Sequence, residues 1–316
     1  MTTSIRKGVY PTMVTPFTRD NQIDYDAAAQ IVEYYAACGC DGIFALCLSS
    51  EIFQLTDKES TSLLRFIVKA NKRRMSLVAS GHTACDINAQ IRQLENMAEC
   101  GAQETVLILN RLAMDTQSED VVRRNAEKIF KALPDVRFGV YECPYPYKRL
   151  ASNDLIKWFA DTGRVGFFKD TCCDLSLIRQ RIDVMKGTEM MLFNANSSTL
   201  LPSLQAGAAG FSGVMGNFHA DLYVMLHKLH AADDHRAKTL QAFLSLASLM
   251  ETRLYPVNAK YHFTLTGIDM TLATRCVDLL GWKSVYEDEI RYLYQMEEIC
   301  RKELGIKPCT DRIFAG

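Results

Sequence analysis

Along the 316 residues, short apolar runs alternate with longer segments whose apolar positions recur every three or four residues. The runs cover residues 8–15, 42–47, 75–81, 104–109, 137–141, 164–168, 190–193 and 210–214. Each is followed by a helical pattern, over 24–38, 57–71, 86–100, 119–132, 153–160, 175–182, 198–206 and 220–230. The runs are continuously apolar rather than alternating, which predicts strands buried on both faces and hence a parallel sheet.

Local signals agree with this division. Thr56, Asp86, Ser118 and Ser152 stand where helix N-caps belong, and Gly39, Gly101 and Gly207 stand just past predicted helix ends. Eight strand–helix units with no Gly-x-Gly-x-x-Gly after the first run predict an α/β fold, a closed (β/α)8 TIM barrel over residues 1–230. Residues 231–316 read as a C-terminal helical segment, with helices predicted over 238–253, 269–280 and 286–304. No low-complexity linker sets it apart, so it is expected to pack on the barrel or on a neighbouring subunit.

Composition narrows the function classes. Hydrophobic residues at 48% and charged residues at 23% exclude a disordered or fibrous chain. Lys and Arg number 36 against 37 Asp and Glu, so no basic excess exists to bind nucleic acid or an anionic membrane. No apolar run approaches the roughly 18 residues of a membrane helix, and the first residues carry no secretory pattern. The 11 cysteines, at 38, 40, 47, 85, 100, 143, 172, 173, 276, 300 and 309, include no C-x-x-C and no zinc-site spacing. They are read as reduced thiols in a cytoplasmic protein, with the vicinal pair Cys172-Cys173 the one to watch.

Barrel chemistry gathers at the C-terminal ends of the strands. Lys169 ends the run that contains Phe167 and Phe168, so its ammonium is expected against aromatic rings, where desolvation favours the neutral, nucleophilic amine. The bland alternative is a strand-end lysine that snorkels to solvent. Tyr141 ends the preceding run and can move protons in the same mouth, or can simply be a rim aromatic. Ser49 and Ser50 follow the second run and offer hydroxyls and N–H groups to a small carboxylate, unless they merely cap the turn.

The segments GVYPTMVTPF, CDGIFALCLSSEIFQLTDKE, Tyr141-x-x-Pro144, VGFFKD, QAGAAGFSGVMGN and YPVNAKY occur in that order. Together they resemble the dihydrodipicolinate synthase/N-acetylneuraminate lyase family of class I aldolases, over almost the whole chain. The resemblance implies a (β/α)8 barrel with a C-terminal helical segment, assembled as a tetramer of two tight dimers. It implies Lys169 as the Schiff-base lysine that attacks the keto group of pyruvate or another 2-oxo acid, and Tyr141 as the proton carrier. Ser49 and Ser50 fall on the turn that holds the pyruvyl carboxylate, and Glu51 supports that turn.

Departures from the pattern bear on the substrate. Leu48 replaces the hydroxyl that links to the family's tyrosine, Leu109 stands for the tyrosine lent by a neighbouring subunit, and Pro146 for a carboxylate-binding arginine. These losses argue against the lysine-biosynthesis reaction. The carboxylates that grip a sugar in the lyases are absent from Ala195-Asn196-Ser197-Ser198, although Asn196 and Ser197 can still bind a polar aldehyde. Tyr145 and Tyr147 can instead wall off an aromatic one. The expected enzyme is a lyase that makes or cleaves a carbon–carbon bond through an imine with a 2-oxo acid. No metal or organic cofactor is expected, and its partners are the 2-oxo acid and an aldehyde. A 2-keto-3-deoxy sugar acid dehydratase using the same imine, and a non-catalytic paralogue that senses 2-oxo acids, are the alternatives.

Overall fold

The eight apolar runs condense into eight parallel strands because neither face of any of them meets water. The computed structural model describes residues 5–307. The strands are β1 (Gly8–Val9), β2 (Gly42–Ala45), β3 (Ser76–Ala79), β4 (Glu104–Ile108), β5 (Phe138–Tyr141), β6 (Val165–Asp170), β7 (Met191–Asn194) and β8 (Gly210–Phe211). They are ordered β1-β8-β7-β6-β5-β4-β3-β2. A parallel bridge between Thr12 and Phe44 joins the two ends, with Met13 N–H donating to the Phe44 carbonyl at 3.1 Å. The sheet is therefore a closed barrel, as the strand count predicts.

Helices α1 (Tyr25–Cys38), α2 (Asp57–Asn71), α3 (Ile87–Glu99), α4 (Leu109–Leu112), α5 (Glu119–Ala132), α6 (Asn153–Asp161), α7 (Leu175–Met185), α8 (Leu200–Ala206) and α9 (Ala220–Ala231) surround it. The C-terminal part adds α10 (Arg236–Ala247), α11 (Val257–Leu265) and α12 (Ser284–Leu304). Thr56, Asp86 and Ser152 accept from backbone N–H groups as expected of N-caps, and Thr56 forms a reciprocal box with Glu59. Ser118 makes no such bond; its hydroxyl leaves α5 uncapped. Gly39 and Gly207 take left-handed conformations at helix ends.

Two expectations about the C-terminal part fail. The helix predicted over 238–253 stops at Ala247 and tightens into a 3-10 turn at Ser248–Thr252. The helix predicted over 269–280 does not form; only a 3-10 turn, Leu279–Gly281, appears near its end. Long-range partners take the groups that a helix would use. Glu51 accepts from the Arg275 and Cys276 N–H groups at 2.6 and 3.0 Å and from the Thr274 hydroxyl at 2.8 Å. Lys260 donates to the Ala273 carbonyl, and the Thr271 hydroxyl to that of Phe17. The segment thus crosses the barrel as an extended strap.

Strand alternation decides which side chains enter the barrel. Phe167 packs inside with Tyr10, Phe44 and Phe193, whereas Phe168 and Val140 join the outer layer under the helices. Lys169 and Tyr141, one residue beyond those outer positions, therefore point inward. Their strands pair in register, with Tyr141 opposite Lys169. All ten cysteines among the described residues are free thiols; Cys309 lies outside them.

Candidate functional site

A cavity of about 610 Å³ opens at the C-terminal ends of the strands, lined by Lys169, Tyr141, Ser49, Asn196 and Ser197 among others. Five of the six residues singled out from sequence thus share one chamber. Lys169 lies at its floor, 3% exposed, with Nζ 4.5 Å from the Tyr141 ring centroid and 5.4 Å from that of Phe44. Phe44 in turn meets Phe167 and Tyr141 edge-on at 5.5 Å, so the floor is aromatic. Burial lowers the Lys169 pKa from its ordinary value, opposed by the nearby Cys47 and Cys143 thiols and by Glu251. The snorkelling alternative does not describe this lysine.

Tyr141 is buried, and burial drives its pKa well above the usual phenol range. Its hydroxyl hydrogen-bonds the Cys143 thiol, whose own pKa burial also raises. The residues that follow Tyr141 and Lys169 are clamped together. Arg181, from α7, reaches Glu142 at 2.7 and 3.1 Å and also Asp170, and all three side chains are fully buried. One guanidinium therefore ties the ends of β5 and β6, and with them the directions of the phenol and the amine.

The turn after β2 behaves differently at its two serines. Ser49 faces the cavity, and its hydroxyl donates to Thr12 at 3.0 Å. Ser50, expected beside it, is directed away from the cavity. Its hydroxyl donates to the Met13 carbonyl at 2.6 Å and accepts from Cys47 N–H, and its own N–H donates to the Cys47 carbonyl. Such a committed hydroxyl shapes the turn and leaves nothing for a ligand. Glu51, left-handed at φ 59°, holds the strap and pairs with buried Lys260 at 3.0 Å. Ser197 shares a 2.6 Å hydrogen bond with Tyr223, and Asn196 accepts from Thr199 N–H at 3.0 Å while its side chain reaches Cys173.

The departures also find their places. Leu48 lines the cavity with apolar surface. Leu109 is buried in the outer layer, away from it, and Pro146 is exposed at the rim. Cys172 is no ready nucleophile, since burial raises its thiol to about 12. Polar groups in the lining that escaped the sequence reading include Lys148, whose ammonium is tied to the Thr171 carbonyl, Glu251 and Tyr255. Glu251 hid inside the helix predicted over 238–253, and Tyr255 opened the YPVNAKY segment without a role of its own. Only the spatial return of that segment marks them.

Comparison with known proteins agrees with this architecture. A 4-hydroxy-tetrahydrodipicolinate synthase of Mycolicibacterium gilvum is 26% identical over 260 residues, 82% of this chain and 84% of that protein. An N-acetylneuraminate lyase of Rhizobium meliloti is 26% identical over 241 residues, 75% of this chain and 77% of its own. Among solved structures, YagE of E. coli K12, a prophage protein of the dihydrodipicolinic acid synthase family in complex with pyruvate, superposes with a TM-score of 0.83. At 21% identity over 93% of this chain and 99% of that one, it supports the fold. The model of the dihydrodipicolinate synthetase family matches residues 6–276, and the chain belongs to that family.

Proposed function

We propose that the chain is a class I lyase that joins Lys169 to pyruvate or a related 2-oxo acid as an imine and then makes or cleaves a carbon–carbon bond. As a member of its family the chain is an enzyme of the lyase type. The observation that carries the finer reading is the Lys169 amine, buried on aromatic rings beside a phenol at the floor of a chamber. Desolvation supplies the neutral amine that attacks the keto carbon. Loss of water leaves a protonated imine that draws electrons from C3, and Tyr141 is placed to move the proton there. Ser49 is the hydroxyl offered to the substrate carboxylate, and Asn196, Ser197 and Lys148 are the polar groups offered to its far end.

Borohydride reduction in the presence of pyruvate, read by intact mass, tests the proposal. The expected product is heavier than the chain by pyruvic acid less one oxygen, and Lys169→Ala lacks it while staying folded. Trapping that persists in this variant moves the nucleophile elsewhere. A turnover screen on 2-keto-3-deoxy acids and aldehydes then separates the carbon–carbon lyase from the dehydratase alternative and from a 2-oxo-acid sensor. Self-association into a homo-oligomer is part of the same reading. It is supported by an apolar stripe on α12, where Val285, Tyr292, Met296 and Ile299 are exposed, and light scattering gives the stoichiometry.

A further inference from the structure

The cavity above Lys169 has two unlike sides. On one of them, most hydroxyls are spent on the protein. Thr171 donates to the Glu142 carbonyl at 2.9 Å, Ser248 to that of Ser245 at 2.8 Å and Thr252 to that of Leu249 at 2.9 Å. The Asn196 oxygen already accepts the N–H and the hydroxyl of Thr199 at 3.0 and 3.1 Å, and the Ser197 hydroxyl shares its 2.6 Å bond with Tyr223. With Lys148, these two can meet a single polar substituent of a substrate, not a run of hydroxyls. A polyol pressed here gives up water without gaining partners, which costs free energy at each unpaired group.

The other side is apolar and aromatic, lined by Leu48, Phe53, Pro144 and Tyr145. The Phe53 and Tyr145 rings meet with centroids 4.9 Å apart, tilted by 57°. Both are placed in advance. The Arg111 guanidinium lies over Phe53, 4.9 Å from its centroid. The Asn110 amide nitrogen holds the loop that carries Tyr145, at 2.8, 3.0 and 2.6 Å from the carbonyls of Cys143, Tyr145 and Tyr147. Tyr147, the other tyrosine expected to wall off an aromatic group, turns its hydroxyl onto the Ala113 carbonyl at 2.7 Å. Tyr145 is 49% exposed at the rim and Lys169 only 3% exposed at the floor, so a partner that reaches the enamine from solvent passes the aromatic pair.

Resting on the imine chemistry proposed above, we propose that the aldehyde joined to or released from the enamine is an aromatic one, whose ring packs on Phe53 and Tyr145. In the synthetic direction the enamine C3 attacks the aldehyde carbon. The C2=C3 electron pair becomes the new carbon–carbon bond, and the nitrogen lone pair restores the iminium. The carbonyl π pair moves to oxygen, which takes the proton carried by Tyr141. Water then releases a 4-aryl-4-hydroxy-2-oxobutanoate and the free Lys169 amine. Cleavage is the reverse.

Condensation of saturating pyruvate with benzaldehyde and, separately, with glyceraldehyde compares a ring with a polyol on one enamine, the 4-hydroxy-2-oxo acids being followed by chromatography. The parent is expected to favour benzaldehyde by about 10-fold or more in kcat/KM, the scale of discrimination in an apolar pocket, although glyceraldehyde is the more reactive carbonyl. Tyr145→Ala and Phe53→Ala are each expected to lower that ratio about 10-fold, the rate equivalent of one aromatic contact with its buried area. Tyr145→Phe, which keeps the ring, restores it. Both aldehydes meet the same enamine, so any harm to Lys169 or Ser49 slows both reactions and cancels in the ratio. A parent that prefers glyceraldehyde, or that traps pyruvate and condenses no benzaldehyde, overturns the proposal, as does a parental ratio in Tyr145→Ala. If Phe53→Ala fails to fold, Tyr145→Ala at its half-exposed position decides alone. A parent that traps no 2-oxo acid refutes the imine reading itself, and the choice of aldehyde falls with it.

Discussion

Arg181→Met should be the most damaging single substitution outside the cavity. Arg181 is fully buried, and so are both carboxylates that it holds, Glu142 and Asp170. Glu142 keeps N–H donors from Ala151 and Thr171 at 2.9 and 3.0 Å, and Asp170 keeps one from Cys172, but neither keeps a counter-charge. Removing one partner from a buried ion cluster costs about 3–5 kcal/mol, because the remaining charges are left desolvated and unpaired. Burial already raises the Glu142 pKa above its ordinary value against the pull of Arg181. A raised carboxyl contributes stability that is complete below the unfolded pKa and is lost as pH rises through the folded one. Without Arg181 that rise is larger, so the deficit should be greatest at pH 8 and smaller at pH 5. Urea denaturation at both pH values measures it. Adding Glu142→Gln and Asp170→Asn should recover most of the loss, since no buried charge then stands alone. Because the clamp directs Tyr141 and Lys169, the folded variant should also form the imine about 10²-fold more slowly, the effect of a misplacement on the order of 1 Å. Stability within about 1 kcal/mol of the parent at pH 8, the size of an exposed pair, would refute the reasoning.

Lys169→Ala should lose all borohydride trapping while melting close to the parent, because Lys169 forms no salt bridge among the described residues; circular dichroism and intact mass check both halves. Tyr141→Phe should still trap pyruvate but lose about 10²–10⁴-fold in carbon–carbon bond turnover, measured on the first substrate found in the screen. Glu104, at the opposite end of the barrel, is raised to about 8 chiefly by burial. Its unfolded value is about 4.3, so stability should fall as pH climbs through 8, and thermal scans of Glu104→Gln should show a flatter profile between pH 6 and 9. A coupled assay with pyruvate and aspartate semialdehyde should give no efficient turnover, since Pro146 stands exposed outside the cavity lining and Leu48 supplies no relay hydroxyl; efficient turnover would show that Lys148 takes over the missing arginine's work.

What the amino-acid order determined by itself is the barrel and the inward-facing pair Lys169 and Tyr141. Short continuous apolar runs read as strands covered on both faces, and eight of them with intervening helices leave a closed parallel barrel as the economical arrangement. Two-residue alternation then sends Lys169 and Tyr141 inward, because Phe168 and Val140 are claimed by the outer layer. Register places them side by side. The tertiary structure decided what surrounds that pair. Ser50 reads like Ser49 along the chain, yet the Met13 carbonyl, 37 positions away, takes its hydroxyl. Residues 269–280 carry a helical pattern, yet the Glu51 carboxylate, 224 positions from Arg275, takes the N–H groups that the helix would have used. Glu251 sits in a segment with no local mark of function and Tyr255 opens the YPVNAKY segment, and both become cavity residues only because the chain beyond α10 folds back over the mouth. Periodicity reports the burial of a residue against its near neighbours. The partners of a buried polar group are chosen by closure of the whole fold, which brings together segments that share no local pattern.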